Sequence, residues 1–151
     1  MVAADHTSSQ VDEKGNYQWL GVAVGFVIEF EDGFKVYASG DTGLTSDMKL
    51  VIADYFKPDL ALLPAIGFFV MEPEQAVFAS EIIRPKYVIP FHDFPEEAAK
   101  AADPQTYEAI AKQFPVLQPS RAKVRKFIEL MKKNPKIEVI ALDFGETKEI
   151  G

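Results

Sequence analysis

The sequence contains no cysteine among its 151 residues. That absence excludes disulfide bonds and thiolate zinc sites, and it fits a cytoplasmic setting, where disulfides are rare. The N-terminus lacks the basic and apolar regions of a signal peptide. The apolar runs are interrupted by Glu, Asp, Lys or Pro well before they reach membrane-spanning length. We therefore expect a cytoplasmic protein without a transmembrane helix.

Positive charge is scarce, since the chain has 16 Lys and Arg but 23 Asp and Glu, which gives a net charge of −7. Proteins that hold nucleic acid by its phosphates usually present a basic face, so no nucleic-acid partner is expected. One helical stretch is locally basic, and a solvated helix face is the simpler interpretation of it. Its basic residues are Arg121, Lys123, Arg125, Lys126, Lys132 and Lys133. The length suits one domain spanning residues 1–151.

Histidine is also scarce, and both histidines lie next to predicted strands. His6 follows a short apolar stretch, His92 follows the strand pattern of residues 86–90, and Asp41 lies in a glycine-bracketed turn after a third strand. In open α/β sheets, ligands bind at the edge formed by the C-terminal ends of the strands. One carboxylate and two imidazoles can converge on Zn, Mn or Fe. The simpler alternative is an ordinary turn, because Asp and Gly are common there for local reasons.

Strand and helix patterns alternate along most of the chain. Strands are expected at residues 21–30, 34–39, 59–64, 86–90 and 137–142, with a hairpin turn at 31–33. Helices are expected from a cap at Thr45 or Ser46 to Phe56, at 74–83, from an Asp103 cap to about Phe114, and from a Ser120 cap to about Asn134. This rhythm predicts an α/β (α+β) fold with βαβ crossovers.

Two loop features allow more than one interpretation. Polar residues 8–18 predict a loop with a turn at Gly15, and Trp19 at its exit favours core packing over contact with a substrate. The apolar loop around Gly67, Phe68 and Phe69 can either wall a pocket or plug the structure.

Three segments resemble, in order, the later metal-binding motifs of the metallo-β-lactamase superfamily. They are Ala-Asp-His-Thr-Ser-Ser (residues 4–9), Gly-Asp-Thr-Gly (40–43) and Ile-Pro-Phe-His (89–92). The likeness is closest to small metal-dependent hydrolases of the L-ascorbate-6-phosphate lactonase-like branch, over roughly the first hundred residues. The family's first signature, a His-x-His-x-Asp-His loop, has no counterpart in this sequence. The chain therefore resembles the C-terminal half of a metallo-β-lactamase-like αβ/βα sandwich.

The resemblance implies a pair of divalent metal ions, with Zn preferred and Mn or Fe as alternatives. It assigns His6 to the first metal and His92 to the second, and it makes Asp41 the bridging ligand and catalytic residue. Three further residues are candidates for hydrogen bonds to these ligands, with ordinary loop hydrogen bonding as the alternative. They are Asp5, Thr42 and Asp93.

The implied reaction is attack of metal-activated hydroxide on a small ester, lactone or phosphoester. Three ligands shared between two metals are too few, so the isolated chain is expected to bind metal weakly and to be weakly active or inactive. A non-catalytic binding or assembly module and a truncated fragment of such an enzyme are the alternatives. An open apolar sheet face, expected of a half-fold, predicts a homodimer or a partner chain carrying the N-terminal half.

Overall fold

The computed structural model describes residues 1–93, 100–113, 120–143 and 145–150. In chain order the elements are β1 (Val2–Ala3), β2 (Ser9–Val11), β3 (Tyr17–Trp19), β4 (Val24–Glu29), β5 (Lys35–Ala38), a π-helix (Met48–Phe56), β6 (Leu60–Pro64), α1 (Pro73–Ile83), β7 (Tyr87–Phe91), α2 (Pro104–Gln113), α3 (Ser120–Met131) and β8 (Glu138–Val139). This mixture confirms the predicted α/β class. The extent of the domain, residues 1–151, stays a prediction.

A six-stranded sheet in the order β1-β4-β5-β6-β7-β8 organises the chain. β4 is antiparallel to both β1 and β5, whereas β5, β6, β7 and β8 are mutually parallel. The π-helix connects β5 to β6, and α1 connects β6 to β7. Parallel neighbours need such crossovers, because a tight turn can join only antiparallel strands. The predicted βαβ rhythm is therefore confirmed.

The β4–β5 hairpin is the element that delivers Asp41. Its predicted turn is confirmed, since the Phe30 and Phe34 backbones are joined by a 2.9 Å hydrogen bond. Gly25 in β4 allows the close approach of the returning strand. A Cβ added there would lie 2.6 Å from the Ser39 carbonyl oxygen, so any larger residue would push the hairpin apart.

The helix after Asp41 differs from the prediction in both type and start. It is a π-helix that begins at Met48, and its cap residue Asp47 makes no side-chain capping hydrogen bond. The predicted capping by Thr45 or Ser46 is wrong, because the cap position is Asp47. The backbone carbonyls of Thr45 and Ser46 accept from the N–H groups of Met48 and Lys49. The predicted end is confirmed at Phe56.

The later helices follow their local signals. α1 has Pro73 at its first position and is stabilised where Gln75 Oε1 accepts from the Glu72 N–H at 2.9 Å. Asp103 caps α2 by accepting from the Thr106 N–H at 3.0 Å. The predicted end of α2 near Phe114 and the side chain of Ser120 lie outside what the structure describes. Within the described residues, no helix combines the length and the apolar character needed to cross a membrane.

The predicted polar loop at residues 8–18 is a small β-hairpin instead. β2 and β3 pair with each other, and their residues are exposed. Asp12 Oδ1 accepts from the N–H groups of Lys14 and Asn16, which closes the turn. Trp19 is 75% exposed, so the expected core packing is wrong. Its strand pairs outside the main sheet and therefore has no core to enter.

The two faces of the main sheet are covered differently. One face packs under the π-helix, α1 and α3 in a core that includes Tyr37, Leu63 and Val88. The opposite face carries a smaller cluster of Leu60, Tyr87 and Ile140. Its β4 side is open, because three large apolar residues are about half exposed. They are Phe26 (49%), Ile28 (46%) and Phe30 (54%).

Candidate metal centre

The strands that precede His6, Asp41 and His92 end at one edge of the sheet. β5 and β7 run parallel to β6 between them, so the turn after β5 and the residue after β7 share that edge. β1 is antiparallel to β4, and β4 is antiparallel to β5, so β1 also runs towards it. The fold therefore collects the three predicted ligands at the carboxyl edge of the parallel strands, as expected for ligand sites in open α/β sheets.

Asp41 and His92 are brought into contact there. The His92 Nε2 atom lies 3.0 Å from Asp41 Oδ2, across 51 positions of sequence. Both side chains remain partly open to solvent, with 39% of the His92 side chain and 43% of the Asp41 side chain exposed. A carboxylate and an imidazole held together at an accessible edge are the donor types that Zn, Mn and Fe accept in proteins.

The turn around Asp41 depends on its glycine and its threonine. Gly40 has a left-handed φ of +65°, and a Cβ there would lie 2.7 Å from the Val24 carbonyl oxygen. Thr42 is buried, with 1% exposed. Its hydroxyl accepts from the Asp5 N–H at 2.9 Å and donates to the Gly43 carbonyl at 2.9 Å. Thr42 therefore ties the segment that precedes His6 to the turn that carries Asp41.

Asp5 strengthens this connection from the other side. Its carbonyl oxygen accepts from the Gly43 N–H at 2.9 Å. The Asp5 carboxylate also lies over Gly43, because a Cβ added to that glycine would approach Asp5 Oδ2 to 3.1 Å. Asp5 and Thr42 thus hold two backbone segments together, whereas their predicted hydrogen bonds to ligating imidazoles stay predictions.

His6 is less closely integrated than the other two predicted ligands. Its Nδ1 atom lies 2.8 Å from the Thr7 carbonyl oxygen. A carbonyl only accepts, so Nδ1 donates this bond, and in the neutral imidazole Nε2 then has the lone pair that a metal needs. Within the described residues, no group of three or more His, Asp, Glu or Cys side chains is arranged to hold a metal ion. The structure therefore pairs Asp41 with His92 without completing a three-ligand cluster around His6.

Two exposed aromatic rings border the same edge. Phe68 and Phe69 are 57% and 58% exposed, and their rings meet edge to face with centroids 4.2 Å apart. Their loop is joined to the Asp41 turn, because the Met71 N–H donates to the Thr42 carbonyl at 3.1 Å. The rings do not plug the core, so of the two interpretations a wall beside the site is the one that fits.

Asp93 and Arg121 form an ion pair beside His92. Arg121 Nε lies 3.0 Å from Asp93 Oδ2, and Arg121 Nη1 lies 2.5 Å from Asp143 Oδ1. On the same helix, Lys123 Nζ contacts both carboxylate oxygens of Glu72 at 3.0 Å. The basic stretch is partly solvated, as predicted, since the Arg121 and Lys123 side chains are 38% and 37% exposed, but both also pair with acidic residues. Their acidic partners lie 22 to 51 positions away, where no local pattern could reveal them.

A cleft of about 700 Å³ lies at the opposite edge of the sheet. Its lining includes Asp59 and Lys86, which precede the first residues of β6 and β7, together with Lys57 and Arg84 at the ends of the preceding helices. The cleft is therefore separate from the edge that carries Asp41 and His92.

Comparison with known families decides the relationship. Residues 2–92 match the family described as Beta-lactamase superfamily domain, which is more than half of the chain and includes all three predicted ligands. The chain belongs to the metallo-β-lactamase superfamily. The closer likeness to the lactonase-like branch stays a prediction.

Superfamily relatives similar to this chain are described as UPF0173 metal-dependent hydrolases. One from Cupriavidus metallidurans is 45% identical over 97 residues, covering 60% of this chain and 33% of its own length. One from Methanocorpusculum labreanum is 48% identical over 92 residues, covering 61% of this chain and 41% of its own. The chain thus spans between a third and about two-fifths of the length of these curated relatives.

A solved superfamily structure extends the likeness to almost the whole fold. Igni18, described as a novel metallo hydrolase from Ignicoccus hospitalis, superimposes with a TM-score of 0.64 at 28% identity. The match covers 95% of this chain and 48% of Igni18. This similarity confirms the predicted kinship with metallo-β-lactamase folds.

Proposed function

We propose that this chain supplies the Asp41–His92 part of a dinuclear metal site in a metal-dependent hydrolase. The observation that carries the proposal is the 3.0 Å contact between His92 Nε2 and Asp41 Oδ2 at the carboxyl edge of the sheet. The metal-dependent hydrolases among its relatives support the same reaction class.

The donor set fits a divalent transition metal, and zinc is the first choice. Asp41 has two carboxylate oxygens and can bridge two ions, which makes it the proposed catalytic residue. His92 would hold one ion and His6 the other through Nε2. A bound divalent ion makes hydroxide available near neutral pH and stabilises negative charge on a carbonyl or phosphoryl oxygen.

The proposed substrate is a small ester, lactone or phosphoester. Phe68 and Phe69 offer it an apolar surface beside the site, because both rings are exposed and their loop is bonded to the Asp41 turn. The lactonase-like branch, the choice of zinc and the cytoplasmic setting belong to this proposal.

A partner for the open sheet face is also part of the proposal. Phe26, Ile28 and Phe30 are three large apolar side chains that are about half exposed, and an exposed apolar patch marks a surface suited to a partner. We propose that the N-terminal half implied by the family resemblance covers it, or a second copy of this chain where no such half is present. Because further ligands would come from that half, the isolated chain should be weakly active or inactive.

A non-catalytic binding or assembly module is the second candidate. It is favoured by one observation, the lack of a three-ligand cluster among the described residues. Metal affinity separates the two candidates, because a module that has lost the chemistry has no reason to bind zinc through Asp41.

The test is calorimetric titration of the purified chain with zinc, together with metal analysis. Asp41→Ala should abolish binding, since it removes the bridging ligand, and binding should weaken on acidification because imidazole must be neutral to ligate. Glu31→Ala is the matched control, because it removes an exposed carboxylate from the hairpin turn at the opposite edge. Equal zinc affinity in the wild type and Asp41→Ala would contradict the proposal.

A further inference from the structure

We propose that Arg121 is a positioning residue of the candidate metal centre. Through its ion pair with Asp93, Arg121 holds the adjacent His92 in the conformation in which the imidazole contacts Asp41. The functional meaning of that conformation rests on the proposed function, whereas the positioning itself is a property of this chain alone. Arg121 lies outside the residues 2–92 that match the family, so the family match says nothing about it.

The backbone of His92 needs an external restraint. Its φ of +69° is left-handed, a conformation that residues with a Cβ rarely adopt. Such conformations persist where surrounding contacts hold them, and they concentrate at functional sites. His92 also follows the last residue of β7, Phe91, so the hydrogen bonds of the sheet end just before it.

Two side-chain contacts supply the restraint, one made by the strained residue itself and one by the residue that follows it. The His92 imidazole meets Asp41 at 3.0 Å, and the next residue, Asp93, meets Arg121 Nε at 3.0 Å. Asp41 belongs to the turn after β5, whereas Arg121 belongs to the first turn of α3. The segment is therefore clamped between the sheet edge and a helix.

Arg121 can act as an anchor because its own position is fixed. α3 is packed into the core through Phe127 and Met131, which are at most 1% exposed. Lys123 on the same helix pairs with Glu72 in front of α1. The guanidinium also contacts Asp143, just beyond β8, at 2.5 Å. A planar guanidinium can pair with two carboxylates at once, and the single ammonium of lysine is less suited to that geometry.

Because this ion pair is partly exposed, an effect of Arg121 on the position of His92 can be distinguished from an effect on folding stability. The Arg121 and Asp93 side chains are 38% and 25% exposed. Ion pairs open to solvent contribute little to folding free energy. Removing Arg121 should therefore loosen His92 while leaving the global unfolding transition nearly unchanged, whereas loss of a residue with a purely structural role would also lower the unfolding temperature.

The experiment uses the small number of histidines. A chain labelled with ¹³C-histidine has two imidazole signals, from His6 and His92, so His6 is an internal reference. We expect Arg121→Gln to lower the NMR order parameter of the His92 ring and to leave that of His6 unchanged. Arg125→Gln is the matched control, because Arg125 is an exposed residue of the same helix, and it should alter neither signal.

Zinc titration provides the second readout. Partners that orient metal ligands typically change metal affinity by 10- to 100-fold, so Arg121→Gln should weaken zinc binding by about 10-fold or more. Arg121→Lys should recover only part of the loss, because it restores the charge but not the two-carboxylate geometry. Asp93→Asn should reproduce the effect from the other partner, and combining it with Arg121→Gln should add little.

The outcomes are separable. An unchanged His92 order parameter in both Arg121→Gln and Asp93→Asn overturns the positioning role, whatever the metal results. If the wild type binds no zinc, the proposed function fails, while the relaxation data still decide the role of Arg121. If Arg121→Gln lowers the unfolding temperature together with the order of both histidines, the residue is structural and the proposal is wrong.

Discussion

The two faces of the central sheet differ in how far the chain buries their apolar side chains. On the helix-covered face, Tyr37, Leu63 and Val88 are at most 2% exposed. On the other face, Phe26 and Ile28 are nearly half exposed although they lie in a regular, well-paired strand. The difference does not come from the sheet, whose strands contribute to both faces. It comes from where the crossover helices lie.

This comparison separates stability from association. Side chains on the covered face stabilise the folded chain, because burying each large apolar side chain contributes roughly 1.5–3 kcal/mol. Side chains on the open face make little of that contribution in the isolated chain. They would make it only when a second surface covers them.

The largest expected effect is on the covered face. Leu63→Ala should lower the free energy of unfolding by about 2–5 kcal/mol, because it opens a cavity beneath the helices. Leu50→Ala is the matched control, since Leu50 is 65% exposed on the π-helix, and it should cost less than about 0.5 kcal/mol. Urea denaturation measures both. Similar losses for the two variants would remove the distinction between buried and exposed leucine on which the comparison depends.

A smaller effect on the same face depends on pH. Burial, with the Asp47 carboxylate nearby, raises the pKa of Tyr37 from 10.0 to about 12. The folded chain therefore holds the phenolic proton more tightly than the unfolded chain. Stability is unaffected below about pH 10 and falls as the pH rises towards 12, by roughly 2–3 kcal/mol in all.

The control for this alkaline loss is Tyr37→Phe, which has no proton to release. The variant should lose less stability than the wild type between pH 10 and 12 in parallel denaturation curves. If both proteins lose stability equally over that range, the alkaline loss comes from other groups, and the buried hydroxyl is not its source.

The smallest effect on folding, but a large one on association, is expected on the open face. A Phe26→Ser, Ile28→Ser double variant should change the free energy of unfolding of the isolated chain by only about 1 kcal/mol, since both residues are already half solvated. Light scattering should find the wild type associated at micromolar concentration and the variant monomeric. A wild type that is stable as a monomer would show that this face needs no partner.

Local sequence determined the elements whose residues carry their own signals. The hairpin turn at residues 31–33 places β4 and β5 side by side, and Pro73 starts α1 as expected. The positions of His6, Asp41 and His92 after strands also follow from the sequence, because a strand's end is marked by its own residues. Parallel strands joined by helices then direct those ends to one edge.

Only the tertiary structure decided which distant residues meet and which face is covered. The 3.0 Å Asp41–His92 contact spans 51 positions, and Arg121 joins Asp93 to Asp143 from a helix that by itself looks solvated. Trp19 is exposed because its strand pairs outside the main sheet, and the start of the π-helix depends on backbone hydrogen bonds rather than a side-chain cap. Composition and periodicity record local preference and burial, whereas these contacts depend on strand order and helix packing, which no single segment encodes.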